Sequence, residues 1–402
     1  MKIYEDLIYR GLIKDSAGTN LKDKLNNESL TFYIGTDPTA ESLHLGHLSS
    51  FMISKRLKDA GHNPILLIGG GTGLIGDPRP TSERDTIVED ELFDNAKSLS
   101  KQVEKLFGFK IVNNYDWIKD INVIDFLRDY GKFFNVSYMI NKDIVKKRLD
   151  NGITFCELSY MILQSLDYLY LNKTYNCTLQ VAGSDQWGNI TSGIELIKKK
   201  TGKEVYGFTM PLVLDKYGNK FGKSEGNALW LDENKTTPYQ IYQYLVNTDD
   251  EMVISYLKIF TFLDKEKIDA LEVSTKKEPE KRYAQKTLAY EVVKFVHGEE
   301  KADNARKTSE DVFNNKYDNS EMPTISIKKE VINIIDFLIL INISSSKSDA
   351  RRLIMQGGIT INDNKITDIT YEVNYKEYDL DYIVVKKGKR SYIKVVFNGE
   401  TK

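Results

Sequence analysis

The feature that most narrows the fold is an alternation of short apolar runs with segments of helical period, sustained over residues 1–235. "LTFYIG", "PILLI", "FKIV", "CTLQVAG" and "MPLVL" read as strands. A helix marked by Leu45, Leu48, Met52 and Ile53, the segment "VEDELFDNAKSLSKQVEKLF" and the later "QWGNITSGIELIKKK" read as the helices between them. Such alternation implies an α/β domain with a mostly parallel sheet, because parallel neighbours need long crossover connections. From about Thr236 the pattern changes. "TTPYQIYQYLVN", "DEMVISYLKIF" and "PEKRYAQKTLAYEVVKFVHG" are all helical by period, with no strand between them. A polar stretch ending in proline, "NNKYDNSEMPT", then leads through two helix-like segments to strand-rich "GGITINDNKITDITYEVN" and "DYIVVKKGKRSYIKVVF". The expected division is a Rossmann-like parallel-sheet domain over 1–235, an all-helical domain over 236–316, a linker over 317–327 and a small α+β unit over 328–402.

Charge and cysteine content exclude several classes. The 402 residues carry a net charge of −2, so the whole chain is not a generic polyanion binder. From Pro323 to Lys402 the balance is +3, a modest sign of a nucleic-acid-facing end. No apolar run approaches the ~18 to 20 residues that cross a bilayer. "MKIYEDLIYRGLIKD" mixes acidic and basic residues and reads as an amphipathic helix of the fold, not a targeting peptide. Cys156 and Cys177 form no C-x-x-C, which fits a reducing cytoplasm.

Two glycine-rich loops invite nucleotide readings. In "GGGTGLIGD", Gly71, Gly73 and Gly76 satisfy G-x-G-x-x-G, the fingerprint of a nicotinamide- or flavin-dependent oxidoreductase. The context fails, since Pro78 and Pro80 break any helix begun there and no acidic residue ends a following strand. "GNKFGKS" has three residues between its glycines where a P-loop has four, and "EGNALWLDE" after it lacks helical period. Lys220 and Lys223 remain cations able to approach phosphates, or else parts of a solvated turn.

Other polar clusters are of the kind that grips ligands without a metal. "HLGH" sets His44 and His47 three apart in the first turns of a helix with a cap near Ser42, where the macrodipole favours anions. It lacks the H-E-x-x-H spacing of a zinc site. In "ELSYMILQSLDYLYL", Tyr160, Gln164 and Asp167 share one face of an otherwise apolar helix. That line is either a solvated face or a set of hydrogen-bonding groups lent to a pocket. "GSDQWGN" follows a strand, where open α/β sheets hold ligands, and is no G-x-S-x-G elbow.

Taken in order, "YIGTDPTAESLHLGHL", "GGGTGLIGDP", "YMILQSLD", "QVAGSDQWGN" and "KFGKS" resemble the bacterial-type tyrosyl-tRNA synthetases. "HLGH" is similar to that family's HIGH signature and "KFGKS" to its KMSKS loop. "SSSKSDARRLIMQGGITIN" resembles an S4-type RNA-binding unit, with Arg351 and Arg352 on its helix. The resemblance implies a class I catalytic domain, a helical anticodon-binding domain and an S4-like domain, in a homodimer. It implies two steps: tyrosine's carboxylate attacks the α-phosphorus of Mg2+-ATP, and the adenylate then passes tyrosine to the 3′ end of tRNA(Tyr). No structural metal, NAD or flavin is implied.

The same resemblance assigns residues. Thr39, His44, His47, Lys220 and Lys223 match groups that act on ATP, and Arg84 a loop cation, with Arg79 a candidate for a second. Gly35, Asp37, Gly183 and Asp185 match the nucleotide region. Asp77, Tyr160 and Gln164 match the surroundings of the tyrosine ammonium, Gln186 those of the carboxylate, and Tyr33 with Asp167 the partners of the phenol. Two rival readings remain, a non-catalytic S4-type RNA-binding protein and the nicotinamide-dependent oxidoreductase.

Overall fold

The computed structural model describes residues 1–78, 87–149, 152–224, 227–313, 322–378, 380–388 and 391–398. It divides into two compact units, Met1–Asp232 with Ser255–Leu263, and Glu233–Ile254 with Asp264–Lys402.

In the first unit, β1 (Asp15–Ala17), β2 (Thr31–Thr36), β3 (Asn63–Ile68), β4 (Lys110–Asn113), β5 (Cys177–Gly183) and β6 (Tyr206–Met210) form one sheet in the order β1-β6-β5-β2-β3-β4. Every pair is parallel except β1 with β6. Helices α1 (Ile3–Tyr9) and α2 (Leu21–Asn27) precede β2, and α3 (Leu45–Asp59) crosses from β2 to β3. Then come α4 (Thr72–Ile75) and α5 (Glu89–Phe107). Short helices α6 (Tyr115–Ile118), α7 (Val123–Asp125), α8 (Val136–Ile140) and α9 (Asp143–Arg148) lead to α10 (Phe155–Tyr175), and α11 (Trp187–Thr201) joins β5 to β6.

The strands form because their residues suit a sheet covered on both faces. Ile65, Leu66, Leu67 and Ile68 of β3 are consecutive and all buried, the continuous apolar run of a central parallel strand. The long α10 starts at a capping box, with Thr154 and Glu157 satisfying each other's backbone N–H groups. One expected strand is displaced. "MPLVL" is not a strand, since β6 ends at Met210 and Pro211 brings no N–H to continue a ladder. Beyond it Leu214 bridges to Lys220, and the Val213 carbonyl accepts from the Phe221 N–H at 3.0 Å. A two-residue pair, β7 (Lys223–Ser224) with β8 (Asn227–Ala228), follows.

The second unit opens with α12 (Pro238–Val246), where Thr237 and Gln240 form a capping box around Pro238. Next are α13 (Asp250–Phe260), whose last turns belong to the first unit, then α14 (Lys265–Lys277), α15 (Tyr283–His297) and α16 (Glu299–Phe313). The terminal part holds β9 (Thr324–Lys328), β10 (Val331–Asn333), α17 (Ile334–Leu340), α18 (Lys347–Met355), β11 (Ile359–Ile361), β12 (Asn364–Ile366), β13 (Glu372–Asn374), β14 (Tyr382–Lys387) and β15 (Ser391–Asn398). Five of these strands make a sheet in the order β12-β11-β14-β15-β9, over a core that includes Phe337, Leu338, Ile354 and Val395. Among the described residues no helix is long and apolar enough to cross a membrane.

Candidate active site

The chain leaves β2 toward β3 on one side and returns to it as β5 on the other, which opens a crevice at the carboxyl ends of these strands. Tyr33 on β2 and Gln180 on β5 are register partners. Tyr33 is 1% exposed and Gln180 2%. The Tyr33 hydroxyl and the Gln180 Oε1 have no hydrogen-bond partner. Tyr168, whose ring lies 5.3 Å from that of Tyr33, shows the ordinary outcome: its hydroxyl donates to the Tyr206 carbonyl at 2.7 Å. An unmet buried polar group costs about 1–3 kcal/mol, so two side by side mark a place where a ligand supplies the partners. Burial, with Asp167 nearby, pushes the Tyr33 phenol well above its usual range, so it stays an O–H donor.

Asp167 is fully buried on α10 and accepts from Asn114 Nδ2 and Trp117 Nε1, both at 2.9 Å. Burial pushes its carboxyl up to about 8, although those two donors draw it down. Asn114 continues the chain of bonds, donating to Thr72 Oγ1 at 3.0 Å and accepting from the Gly71 N–H at 2.7 Å. Thr72 donates to Asp37 Oδ1 at 3.0 Å, and Tyr160 donates to Asp37 Oδ2 at 3.1 Å. Gly69 makes this possible. A Cβ there would stand 2.0 Å from Asp37 Oδ1, so the glycine run admits the carboxylate under the loop.

A second cluster gathers on the half-buried side of the crevice. Gln186 Nε2 donates to Asp77 Oδ2 at 2.7 Å. Asn189 Nδ2 reaches Gln186 Oε1 at 2.9 Å, Gln164 Oε1 at 3.1 Å and Asp77 Oδ1 at 3.4 Å. Asp77 thus meets Gln186 directly and Gln164 through the Asn189 amide, while Tyr160 gives its hydroxyl to Asp37.

The mouth of the site is built by the start of α3. The cap is His44, not Ser42: Ser42 spends its hydroxyl on the Leu43 carbonyl, at 2.9 Å. His44 Nδ1 accepts from the Gly46 N–H at 3.0 Å, and His47 Nδ1 accepts from the His44 N–H at 3.3 Å. Both rings are therefore assigned the tautomer that carries its proton on Nε2. They stack with centroids 3.8 Å apart. Burial, then His44 and Lys220, hold the His47 imidazole down at about 3, so it acts as a neutral donor.

The "KFGKS" turn is seated on this helix start. Gly222 has φ +84°, and a Cβ on it would lie 2.7 Å from the Gly46 nitrogen. No side chain fits there, which accounts for glycine at this position. Leu229 donates to the Gly222 carbonyl and accepts from the Leu45 N–H, both at 2.9 Å. Phe221 is 2% exposed, its ring 4.6 Å from both Tyr256 and Phe260. Lys220 beside it is exposed.

Thr39 and Asp185 are exposed beyond the ends of β2 and β5, near Gly35 and Gly183. Ile34, between Tyr33 and Gly35 on β2, is buried. Arg79, Arg84 and the Lys223 side chain lie outside the described residues. Arg351 and Arg352 are exposed on α18, in the other unit, with Arg352 paired to Asp349 at 2.6 Å. Thr72, Asn114, Trp117, Gln180 and Asn189 carry no mark in the sequence that assigns them to the site. Thr72 lies in the glycine loop "GGGTGLIGD" and Asn189 in "GSDQWGN", each placed after a strand, but neither segment singles out these side chains. Among the described residues no group of three or more His, Cys, Asp or Glu side chains is arranged to hold a metal.

Comparison with known proteins places the chain in a family. Residues 25–314 match the family model of class I tRNA synthetases for W and Y, and residues 313–395 the tyrosine–tRNA ligase SYY-like C-terminal domain. The chain is 46% identical to tyrosine–tRNA ligase 1 of Enterococcus faecalis over 411 residues, 98% of each chain. It is 44% identical to the tyrosine–tRNA ligase of Staphylococcus carnosus over 416 residues, 98% of this chain and 99% of that one. A C-terminally truncated mitochondrial tyrosyl-tRNA synthetase of Aspergillus nidulans superposes with a TM-score of 0.69 at 32% identity, covering 78% of this chain and 94% of that one. Full-length identity of this order, with both domain models matched in sequence, means that the chain belongs to the tyrosyl-tRNA synthetases.

Proposed function

We propose that the crevice divides its labour, the buried end recognising tyrosine and the mouth driving its activation. As a member of its family the chain is a tyrosine–tRNA ligase, an ATP-dependent enzyme that takes tyrosine, ATP and tRNA as substrates. The observation that carries the residue assignment is the unpartnered Tyr33 hydroxyl beside Asp167 in a dry pocket. Tyrosine's phenol donates to Asp167 and accepts from Tyr33. Phenylalanine would leave both groups unmet. Tyrosyl-tRNA synthetases are themselves the standard example of this effect, rejecting phenylalanine by about 10⁵ without editing, and a buried pair of this kind allows a value of that size. Asp77, Gln164 and Tyr160 surround the ammonium, and Gln186 lies beside the carboxylate.

At the mouth, the carboxylate attacks the α-phosphorus of ATP in line, the bond to the bridging oxygen breaks, and pyrophosphate leaves as tyrosyl-adenylate forms. The step needs no protein nucleophile, only positioning and charge stabilisation. The Nε2–H groups of His44 and His47, the helix start behind them, Thr39, and the Lys220 and Lys223 cations meet the phosphates, with Arg84 and Arg79 as further loop cations. ATP is taken as its Mg2+ complex. Gly35, Asp37, Gly183 and Asp185 frame the nucleoside side of the crevice, and hydrogen bonds from Tyr160 and Thr72 hold Asp37 there.

Residues 1–235 form the catalytic domain, 236–316 the anticodon-binding domain, 317–327 the linker and 328–402 an S4-like domain. In the last, Arg351 and Arg352 contact tRNA(Tyr). The active form is a cytoplasmic homodimer. Exposed apolar side chains support this: Val136 on α8 and Phe155 on α10, helices that supply Met139, Met161 and Ile162 to one cluster, and Val123 and Ile124 on α7 are 62–70% exposed.

The deciding experiment is tyrosine-dependent ATP–pyrophosphate exchange, with His44→Ala as its control for role. Exchange with tyrosine but not tryptophan, slowed in His44→Ala at unchanged tyrosine affinity, is expected. Absent exchange, or a large loss of tyrosine binding in the variant, refutes the assignment.

A further inference from the structure

Two arginines are buried against the end of α13 with little charge to balance them. Arg10 on α1 and Arg56 on α3 are each 6% exposed. Arg10 pairs with Asp6 at 2.9 Å and gives its remaining N–H groups to the carbonyls of Lys258 (3.0 Å), Thr261 (3.3 Å) and Leu263 (2.7 Å). Arg56 reaches the carbonyls of Lys258 and Ile259 at 3.4 Å and that of Thr261, while its Nε has no partner. All the carbonyls lie at or just beyond the end of α13, where helix carbonyls are unsatisfied and the macrodipole favours cations. Burying a guanidinium is expensive, and a well-packed apolar contact would hold two helices as firmly. What a rigid planar guanidinium adds, with Arg10 donating from two of its nitrogens to these carbonyls and Arg56 from Nη2, is a fixed axial position for the helix end.

That position matters because of what α13 touches. Tyr256 and Phe260, four residues apart on one face, flank the Phe221 ring at 4.6 Å. The Tyr256 hydroxyl also donates to the Leu214 carbonyl at 2.9 Å, and Leu214 bridges to Lys220. The opposite end of α3 carries His44 and His47, and Gly222 lies against it. One helix therefore meets the phosphate-binding turn twice, directly at its start and through α13 at its end.

We infer that Arg56 is a positioning residue for adenylation: it sets the axial place of α13, and with it the place of the Lys220 turn over the histidine pair. The inference rests on the phosphate role given to Lys220 above. Arg56→Lys keeps the charge but loses the rigid plane that aims Nη2 at the end of α13. It should lower the single-turnover rate of tyrosyl-adenylate formation about tenfold, with tyrosine affinity and transfer from preformed adenylate to tRNA each within about twofold of the parent. In a Lys220→Ala background the same substitution should cost less than about twofold, because the two act as one unit. Tyr256→Phe, which removes one hydroxyl and no packing, should give the same selective loss at about threefold, and serves where Arg56→Lys does not fold. Equal losses in binding, activation and transfer, or full additivity with Lys220→Ala, would reduce Arg56 to a structural residue and overturn the inference. If Lys220→Ala itself leaves adenylation unchanged, the phosphate role falls first and the inference with it.

Discussion

The two ends of the crevice are made in opposite ways. The end proposed to hold tyrosine is an enclosed set of hydrogen bonds running from Trp117 through Asp167, Asn114, Thr72 and Asp37 to Tyr160, with the Tyr33 hydroxyl left open. The phosphate end is backbone packed on backbone, with Gly222 on Gly46, two neutral imidazoles, and an exposed lysine. In the proposed division of labour the first end discriminates because a wrong substrate leaves buried groups unmet, and the second accelerates because its donors wait where charge develops.

The sharpest way to break this contrast is Lys220→Ala. Adenylate formation should fall about 10²- to 10³-fold while equilibrium tyrosine binding stays within about twofold. Comparable losses in both would show that the ends are not separate. A large effect in the other sense is expected at Asp167. Its carboxyl, at about 8, is largely protonated at lower pH, so tyrosine affinity should rise as pH goes from 6.5 to 8.5 and the acceptor ionises. Asp167→Asn should bind more than tenfold weaker and lose that slope, as isothermal titration at several pH values would reveal. The linkage to folding has the opposite sign. The folded value lies above the usual 3.8, so the stability this group gives is full below about 4 and is lost as pH rises through 8.

Tyr33→Phe probes the same end more gently. It should cut discrimination of tyrosine from phenylalanine about tenfold, read as a ratio of kcat/KM values in exchange, and leave the ATP KM unchanged. At the mouth, Gly222→Ala must place a side chain at φ +84° against Gly46, at about 1–2 kcal/mol for the backbone alone. Adenylation should slow about tenfold with tyrosine affinity intact. The smallest effect concerns His47, whose folded value of about 3 lies below the ordinary 6.5. Its contribution to stability is complete above 6.5 and is lost as pH falls toward 3. His47→Gln should therefore remove about 1 kcal/mol of the destabilisation seen between pH 6.5 and 5.5, measured by urea unfolding.

Much of this is legible in the chain before folding. Burial pattern and turn chemistry point to the strands β2, β3, β4 and β5 and the helices α3, α5, α10 and α11, since long periodic segments leave few alternatives. Tyr160, Gln164 and Asp167 are visible as a polar line on an apolar helix, because helical spacing alone puts them on one face. "MPLVL" and the Ser42 cap mislead for local reasons. An apolar run after a strand resembles a strand until its proline is weighed, and a serine outranks histidine as a cap until the backbone chooses.

The sequence by itself determined which residues have the right period to be buried and which loops need glycine, for these depend on neighbours a few positions away. Tertiary structure decided the rest. Asn114 and Trp117 become partners of Asp167 only because β4 lies beside β3 while α10 covers the crevice. Gly222 is required only because Gly46, 176 positions earlier, occupies the space a side chain would fill. Tyr33 is an open donor only because Tyr168 finds a carbonyl and it does not. Hydrogen bonds and steric exclusion act over a few ångströms in space, and no pattern along the chain carries distances of that kind.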